Sequence, residues 1–285
     1  MTSRRLLALA ATASALLLPA TPAVAKDRFV ALSPFTANTL ADVGVKPVGI
    51  ANTLGGSDRF SPLLKGVPRL ALSHPNGPNL EQLAALNPST VLSSQTWNKG
   101  HAAMRKLGMD VEQLDPYRVD DVPKATRAIG KLAGKGAAAA KLAKRQRRDI
   151  AKARKGIKQR PSVLVVLGVG RSPYAFLPNS WGGDVVTKAG GRLLTSGLKD
   201  GGGFAQISNE FVVERNPDVI IAVPHGEVDD IPSIGSYLQQ NPAWQTTNAA
   251  KNGRIYVATG NSLLQAYTDA GRTIRDVRTK FLRNG

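Results

Sequence analysis

The sequence predicts an α/β protein: two α/β lobes with parallel sheets joined by a long helix. Three observations predict it. Strand-like and helix-like segments alternate over residues 28–115. The alternation stops from Val119 to Lys158, where every segment reads as helix. It resumes after Pro161 and continues to the C-terminus.

The elements follow in order. RFVALS (28–33) is an expected strand, TANTLADVG (36–44) a short helix ending at Gly44, and KPVGIA (46–51) a second strand. NLEQLAALNP (79–88) is an expected helix with Asn79 as its cap and Pro88 beyond its end. STVLSS (89–94) reads as strand, GHAAMRKLG (100–108) as helix and MDVEQLD (109–115) as strand. VPKATRAIGKLAG then reads as a helix broken around Gly134 and Gly136. The Ala/Lys/Arg tract after it is a longer helix of about 22 residues, roughly 33 Å, the length of a strut between lobes. SVLVVLG (162–168) is nearly all apolar and so predicts a strand buried on both faces. GDVVTKAG (183–190) and NEFVVERNP (209–217) read as helices, DVIIAV (218–223) and RIYVAT (254–259) as strands, with a helical region between the two strands. A terminal helix from about Leu263 carries a basic end that suits its dipole.

The expected boundaries are a leader (1–25), an N-terminal lobe (26–118), basic linking helices (119–160) and a C-terminal lobe (161–285). Arg4 and Arg5, the apolar run Leu6–Leu18 and Ala23-Val24-Ala25 read as a secretory signal peptide. The mature chain is expected in the periplasm or secreted, with no transmembrane segment. The chain has no cysteine, so a lipoprotein anchor and disulfides are excluded.

The formal charge is +18. Removing the leader takes away two arginines and no acid, leaving +16. Lys124–Arg160 holds 14 basic residues and one acid, Asp149; the rest of the mature chain shares only about +3. The segment has no interleaved aromatics, so no nucleic-acid partner is expected. Its charges read as a solvated helix face, the alternative being a basic envelope protein that binds an acidic polymer.

No phosphate loop, nucleophile elbow or paired metal-spaced histidines occur, and enzyme is the weaker class. In open α/β sheets ligands collect beyond the carboxyl ends of the strands. The loops expected there are Ser33–Phe35, Asn52–Phe60, Ser73–Gly77, Gln95–Trp97, Gly168–Phe176, Pro224–Val228 and Thr259–Leu263. They carry His74, His225, Tyr174, Phe176, Trp97, Arg59 and Arg171. An aromatic cleft with a few polar groups describes a small-molecule site. Trp181 and Trp244 read as core, and His101 as a surface helix residue and no ligand.

Four blocks in order carry a resemblance: RFVALSPFTANTLADVGVKPVGI, GPNLEQLAALNPSTVLSS, FAQISNEFVVERNPDVIIAV and NAAKNGRIYVA. Together they resemble the substrate receptors of bacterial ABC importers in the siderophore, haem and cobalamin group. That resemblance implies the helical-backbone periplasmic-binding fold, no enzymatic activity and a membrane permease as partner; a monomer is expected. PDVIIAVPHGEVDD is most similar to haem receptors, which implies haem as the transported ligand, no catalytic cofactor, and His225 on the haem iron. A methionine carried by some of these receptors is replaced here by Asn76, so His74 or Tyr174 is expected on the opposite face. Ferric siderophore and cobalamin are the alternatives. The resemblance also implies that Glu81 and Glu210, each in the first turn of a helix, dock to the permease.

Overall fold

The structure, a computed structural model, describes residues 27–52, 59–158, 160–169, 172–226 and 228–283. The expected leader and Arg171 lie outside these residues.

The N-terminal lobe contains β1 (Phe29–Ala31), α1 (Pro34–Asp42), β2 (Gly49–Ala51), β3 (Arg69–Leu70), a small hairpin of β4 (Leu72–Ser73) and β5 (Gly77–Pro78), α2 (Leu80–Ala85), β6 (Thr90–Ser93), α3 (Asn98–Lys106) and β7 (Asp110–Gln113). Five strands form one sheet in the order β3-β2-β1-β6-β7, parallel at every pairing. β1 lies between β2 and β6, so the strand order reverses there. Phe29, Ala31 and Leu92 pack on one side of the sheet; Val30, Val91 and Val111 pack on the other.

Two of the helices in this lobe start at side-chain caps. Ser33 caps α1 by accepting from the Thr36 amide, and Thr36 returns a bond to the Ser33 amide. Asn79 caps α2 through Gln82.

Two linking helices follow, α4 (Val122–Leu132) and α5 (Gly136–Ala153). With 18 residues, α5 is about 27 Å long, shorter than the sequence suggests. Its end is held from outside. Arg278 donates to the carbonyls of Ala153 (2.6 Å) and Lys155 (3.0 Å), and Gly156 turns the chain at φ +71°.

The C-terminal lobe contains β8 (Ser162–Val169), β9 (Ser172–Phe176), α6 (Trp181–Ala189), β10 (Arg192–Leu193), β11 (Phe204–Gln206), α7 (Asn209–Arg215), β12 (Val219–His225), α8 (Ile231–Gln239), α9 (Asn248–Lys251), β13 (Ile255–Val257) and α10 (Ala270–Val277). The sheet runs β11-β9-β8-β12-β13, with β10 also on β8. β8, β12, β13 and β10 are parallel. β9 and β11 are antiparallel, so this sheet is mixed. Ser172–Phe176 was expected within the loop Gly168–Phe176 that follows β8, and it forms a strand instead. Pro173 stands at the start of β9 opposite Gly168, where a missing N–H is tolerated.

Two further elements differ from expectation. β12 does not stop at Val223: Pro224 pairs with Gly168 and His225 with Val169. The terminal helix is regular only from Ala270. Ahead of it Tyr267 is buried, and Asp269 is drawn to Arg59 of the other lobe. These contacts hold the chain across the lobe junction and prevent it from coiling.

One apolar cluster crosses that junction. It joins Phe29, Phe35 and Leu40 of the first lobe to Val122, Ile129 and Ile150 of the linking helices and to Val165, Phe176, Ile221 and Ile274 of the second. Trp244, fully buried, fills a second cluster beneath the C-terminal sheet, and Trp181 is buried at the start of α6. Both match the sequence reading.

The contact between α5 and α10 is made backbone to backbone. A Cβ on Gly271 would stand 2.7 Å from the Asp149 carbonyl carbon and oxygen. Gly271→Val should therefore lower unfolding stability by about 2 kcal/mol, within the range for overpacked sites. Urea unfolding measures it, and a variant as stable as the parent would contradict the close approach.

Candidate ligand-binding site

Between the lobes lies a cavity of about 180 Å³. The N-terminal lobe lines it with Leu32, Ser33, Ser94 and Asp115, all at carboxyl ends of strands, and with Thr96, Trp97 and His74. The C-terminal lobe adds Leu167 of β8, Phe204 of β11, His225 of β12, and Leu264 and Gln265. The cavity thus opens where the strand order of the first sheet reverses, the usual place for a ligand in such a sheet.

Each histidine is positioned differently. His225 ends β12, a strand fixed by burial on both faces. Its Nδ1 is buried and has no hydrogen-bond partner among the described residues. Burial, and then the nearby His74, push its pKa below the ordinary imidazole value. His225 is therefore held neutral, with a lone pair available to a metal.

His74 sits at the tip of the β4–β5 hairpin, exposed at the cavity mouth. The hairpin rests on the start of α3 so closely that a Cβ on Gly100 would collide with the Asn76 carbonyl oxygen. Gly77 closes the turn at φ +96°, where an added Cβ would press on Trp97. Trp97 in turn meets the His74 ring edge-on at 5.9 Å between centroids. The two histidines thus approach one cavity from opposite lobes.

Asp115 was not among the residues singled out in the sequence. It accepts a 2.7 Å hydrogen bond from the Ser33 hydroxyl. It is half-buried at the cavity wall, and desolvation there pushes its pKa up to about 7 against the lowering effect of Ser33. The signal was partial: Asp115 is the last residue of the expected strand 109–115, at the end from which the chosen loops leave. Phe204 and Gln265 had no comparable signal.

The other expected ligand residues lie elsewhere. Arg59 does not line the cavity. Its guanidinium makes a two-pronged ion pair with Asp269 at 2.9 and 3.3 Å and lies 4.6 Å over the Tyr267 ring. It clasps one lobe to the other and is committed to protein partners. Tyr174 is paired within the sheet to Leu167 and Gln206 and is not among the residues lining the cavity. His101 is buried, contrary to its expected surface position: Ser93 Oγ lies 2.9 Å from its Nε2 and the Gln113 amide 3.2 Å from its Nδ1. It bridges β6 and β7 inside the first lobe.

Two α/β lobes on a shared helical spine, with a ligand cavity at the facing strand ends, define a two-lobed binding protein. The chain belongs to the periplasmic binding protein family, whose model matches residues 29–261. A cobalamin-binding protein of Halobacterium salinarum is 27% identical over 245 residues, covering 84% of this chain and 65% of that protein. The high-affinity heme uptake system protein IsdE of Staphylococcus aureus is 27% identical over 199 residues, covering 67% of this chain and 66% of that protein. The chain thus spans about two thirds of the length of these curated relatives. The structure of S. aureus IsdE complexed with heme superposes with a TM-score of 0.74 at 25% identity, covering 91% of this chain and all of that one. An ABC transporter substrate-binding protein from Listeria monocytogenes gives a TM-score of 0.78 at 22% identity over 91% of this chain and all of that one.

Asp115 leads to a pH-dependent expectation. Its pKa is about 7 in the fold and roughly 3.9 in an unfolded chain. Between those values the folded state keeps a proton that the unfolded state has lost, so this residue opposes folding increasingly as pH rises. Asp115→Asn keeps an acceptor for Ser33 and removes the charge. Its stability relative to the parent should rise from pH 4.5 to pH 8 in thermal unfolding; a gap independent of pH would contradict a raised pKa.

Proposed function

We propose that this chain is the extracytoplasmic substrate-binding component of an ABC importer for iron acquisition. It binds haem in the inter-lobe cavity and delivers it to a membrane permease. The observation that carries this is the pair His225 and His74, presented to one cavity from opposite lobes. A neutral imidazole is an axial ligand for haem iron, and an iron held from both faces needs one donor from each side. Trp97 and Phe204 supply aromatic surface for a flat macrocycle. The cavity's 180 Å³ is small beside the roughly 300–1,000 Å³ of small-molecule pockets. A tetrapyrrole therefore occupies the open cleft as well.

The lining disfavours an acidic ferric siderophore: no lysine or arginine is among the described residues that face the cavity. Cobalamin is the second reading. The named Halobacterium relative favours it, and a histidine can also ligate cobalt. Haemin, cobalamin and a siderophore panel titrated into the purified protein separate the three.

For haem, His225→Ala should remove or shift the Soret band and weaken affinity at least ~10-fold, about 1.4 kcal/mol. His74→Ala should alter the spectrum with a smaller loss. Because burial lowers the His225 pKa, coordination should persist through the ordinary imidazole range and fail only at more acidic pH, as the ring takes a proton. An unchanged spectrum in His225→Ala would refute the ligand assignment.

Glu81 and Glu210 are both exposed, in the first turns of α2 and α7. Ser208 holds the Glu210 carboxyl below its ordinary pKa and so ionised. We assign the two glutamates to permease docking. The Glu81→Ala/Glu210→Ala double variant should bind ligand normally and abolish uptake in reconstituted transport, and normal uptake would exclude the docking role.

A further inference from the structure

The linking helices carry a charge that neither the fold nor the ligand cavity uses. All 14 basic residues between Lys124 and Arg160 are exposed. Few meet an acid: Arg148 lies 3.7 Å from Asp149, and Arg154 lies 3.4 Å from Asp120. On α5, Lys141, Lys144, Arg145 and Arg148 are spaced by three and four residues and so share one stripe. Each is a like-charged neighbour of two others at that spacing. Such pairs weaken a helix by roughly 0.2–0.5 kcal/mol apiece, and uncharged helix formers would avoid that cost.

These four side chains line a groove of about 570 Å³ with Ala138, Leu142 and Asp42. Asp42 is the single acid of the lining. It ends α1, and burial raises its pKa while Thr268 and Arg145 lower it. Ser33, at the other end of α1, lines the ligand cavity. Nine residues of helix separate the two, about 14 Å. The groove therefore sits at the far end of α1 from the cavity. Its walls come from α5 and the end of α1, a concave shape that accepts a strand and not a flat bilayer. It contains no aromatic side chain on which a base could stack.

We propose that the α5 groove binds a linear phosphate-bearing polymer, through Lys141, Lys144, Arg145 and Arg148. Lysine meets each phosphate as a point charge and arginine in a two-pronged bond. The site stands independently of the ligand reading, because it shares no residue with the cavity. Its consequence is retention: the protein is held in a polyanionic layer while the cavity stays open.

Poly(glycerol phosphate) titrated into the full chain tests this. Affinity should fall steeply with salt, as counterion release requires. The variant Lys141→Gln/Lys144→Gln/Arg145→Gln/Arg148→Gln should lose at least ~10-fold affinity while keeping its helix content and its haemin titration. A control removing the same charge elsewhere (Lys65→Gln/Lys99→Gln/Lys199→Gln/Lys251→Gln) should lose less than ~3-fold. Equal losses in the two variants would overturn the groove as a site. Tighter binding to phosphatidylglycerol vesicles or to single-stranded DNA than to the polymer would overturn the proposed partner.

Discussion

The shared apolar core between the lobes is the constraint on which the remaining structure depends. Most two-lobed binding proteins could be imagined as two separate cores on a tether. Here one cluster runs from Phe29 and Phe35 through Ile129 and Ile150 to Val165 and Ile274. Opening the lobes as separate bodies would expose side chains that are almost fully buried, each worth about 1.5–3 kcal/mol. Directional contacts reinforce the apolar ones. Gly271 brings α10 onto the α5 backbone, Gln146 donates to the Thr268 carbonyl at 3.1 Å, and Arg59 reaches across to Asp269. The two halves of the cavity therefore have a defined spacing before any ligand arrives.

That spacing gives the two histidines different characters. His225 ends a strand locked on both faces, and its ring is partly desolvated. His74 tips a hairpin whose seating depends on the close approach of Gly100 and Trp97. One imidazole is rigid and held neutral; the other is at the solvent-facing mouth. For the proposed haem cargo, an asymmetric pair of this kind suits holding and then release, since one bond can break while the other persists. Asp115 adds a second desolvated group to the same cavity, and its hydrogen bond to Ser33 ties it to the start of α1.

Charge is segregated as sharply as apolar surface. The cavity lining has no lysine or arginine among the described residues, yet the segment Lys124–Arg160 carries an excess of 13 positive charges. Exposed charges separated by more than about 8–10 Å are largely screened at physiological salt. The helix face and the cavity therefore act as separate electrostatic surfaces on one molecule.

The alternation of apolar strands and capped helices was legible from the chain because each element is specified locally. SVLVVLG can be buried only on both faces, and Ser33 and Asn79 start helices by bonding amides three residues away. The general position of the cavity was legible too, since parallel strands place their following loops on one side, and that rule located His74, Trp97 and His225. Burial in three dimensions was not. His101 reads as a solvated helix residue until Ser93 and Gln113 close on it. Arg59 reads as a candidate on a cleft loop until Asp269, 210 residues away, takes its guanidinium. Ser172–Phe176 reads as loop until β8 and β11 flank it. Local chemistry decides which elements form; which polar group meets a ligand and which meets the protein depends on partners in other elements, from 8 to 210 residues away, and only the packed chain brings those together.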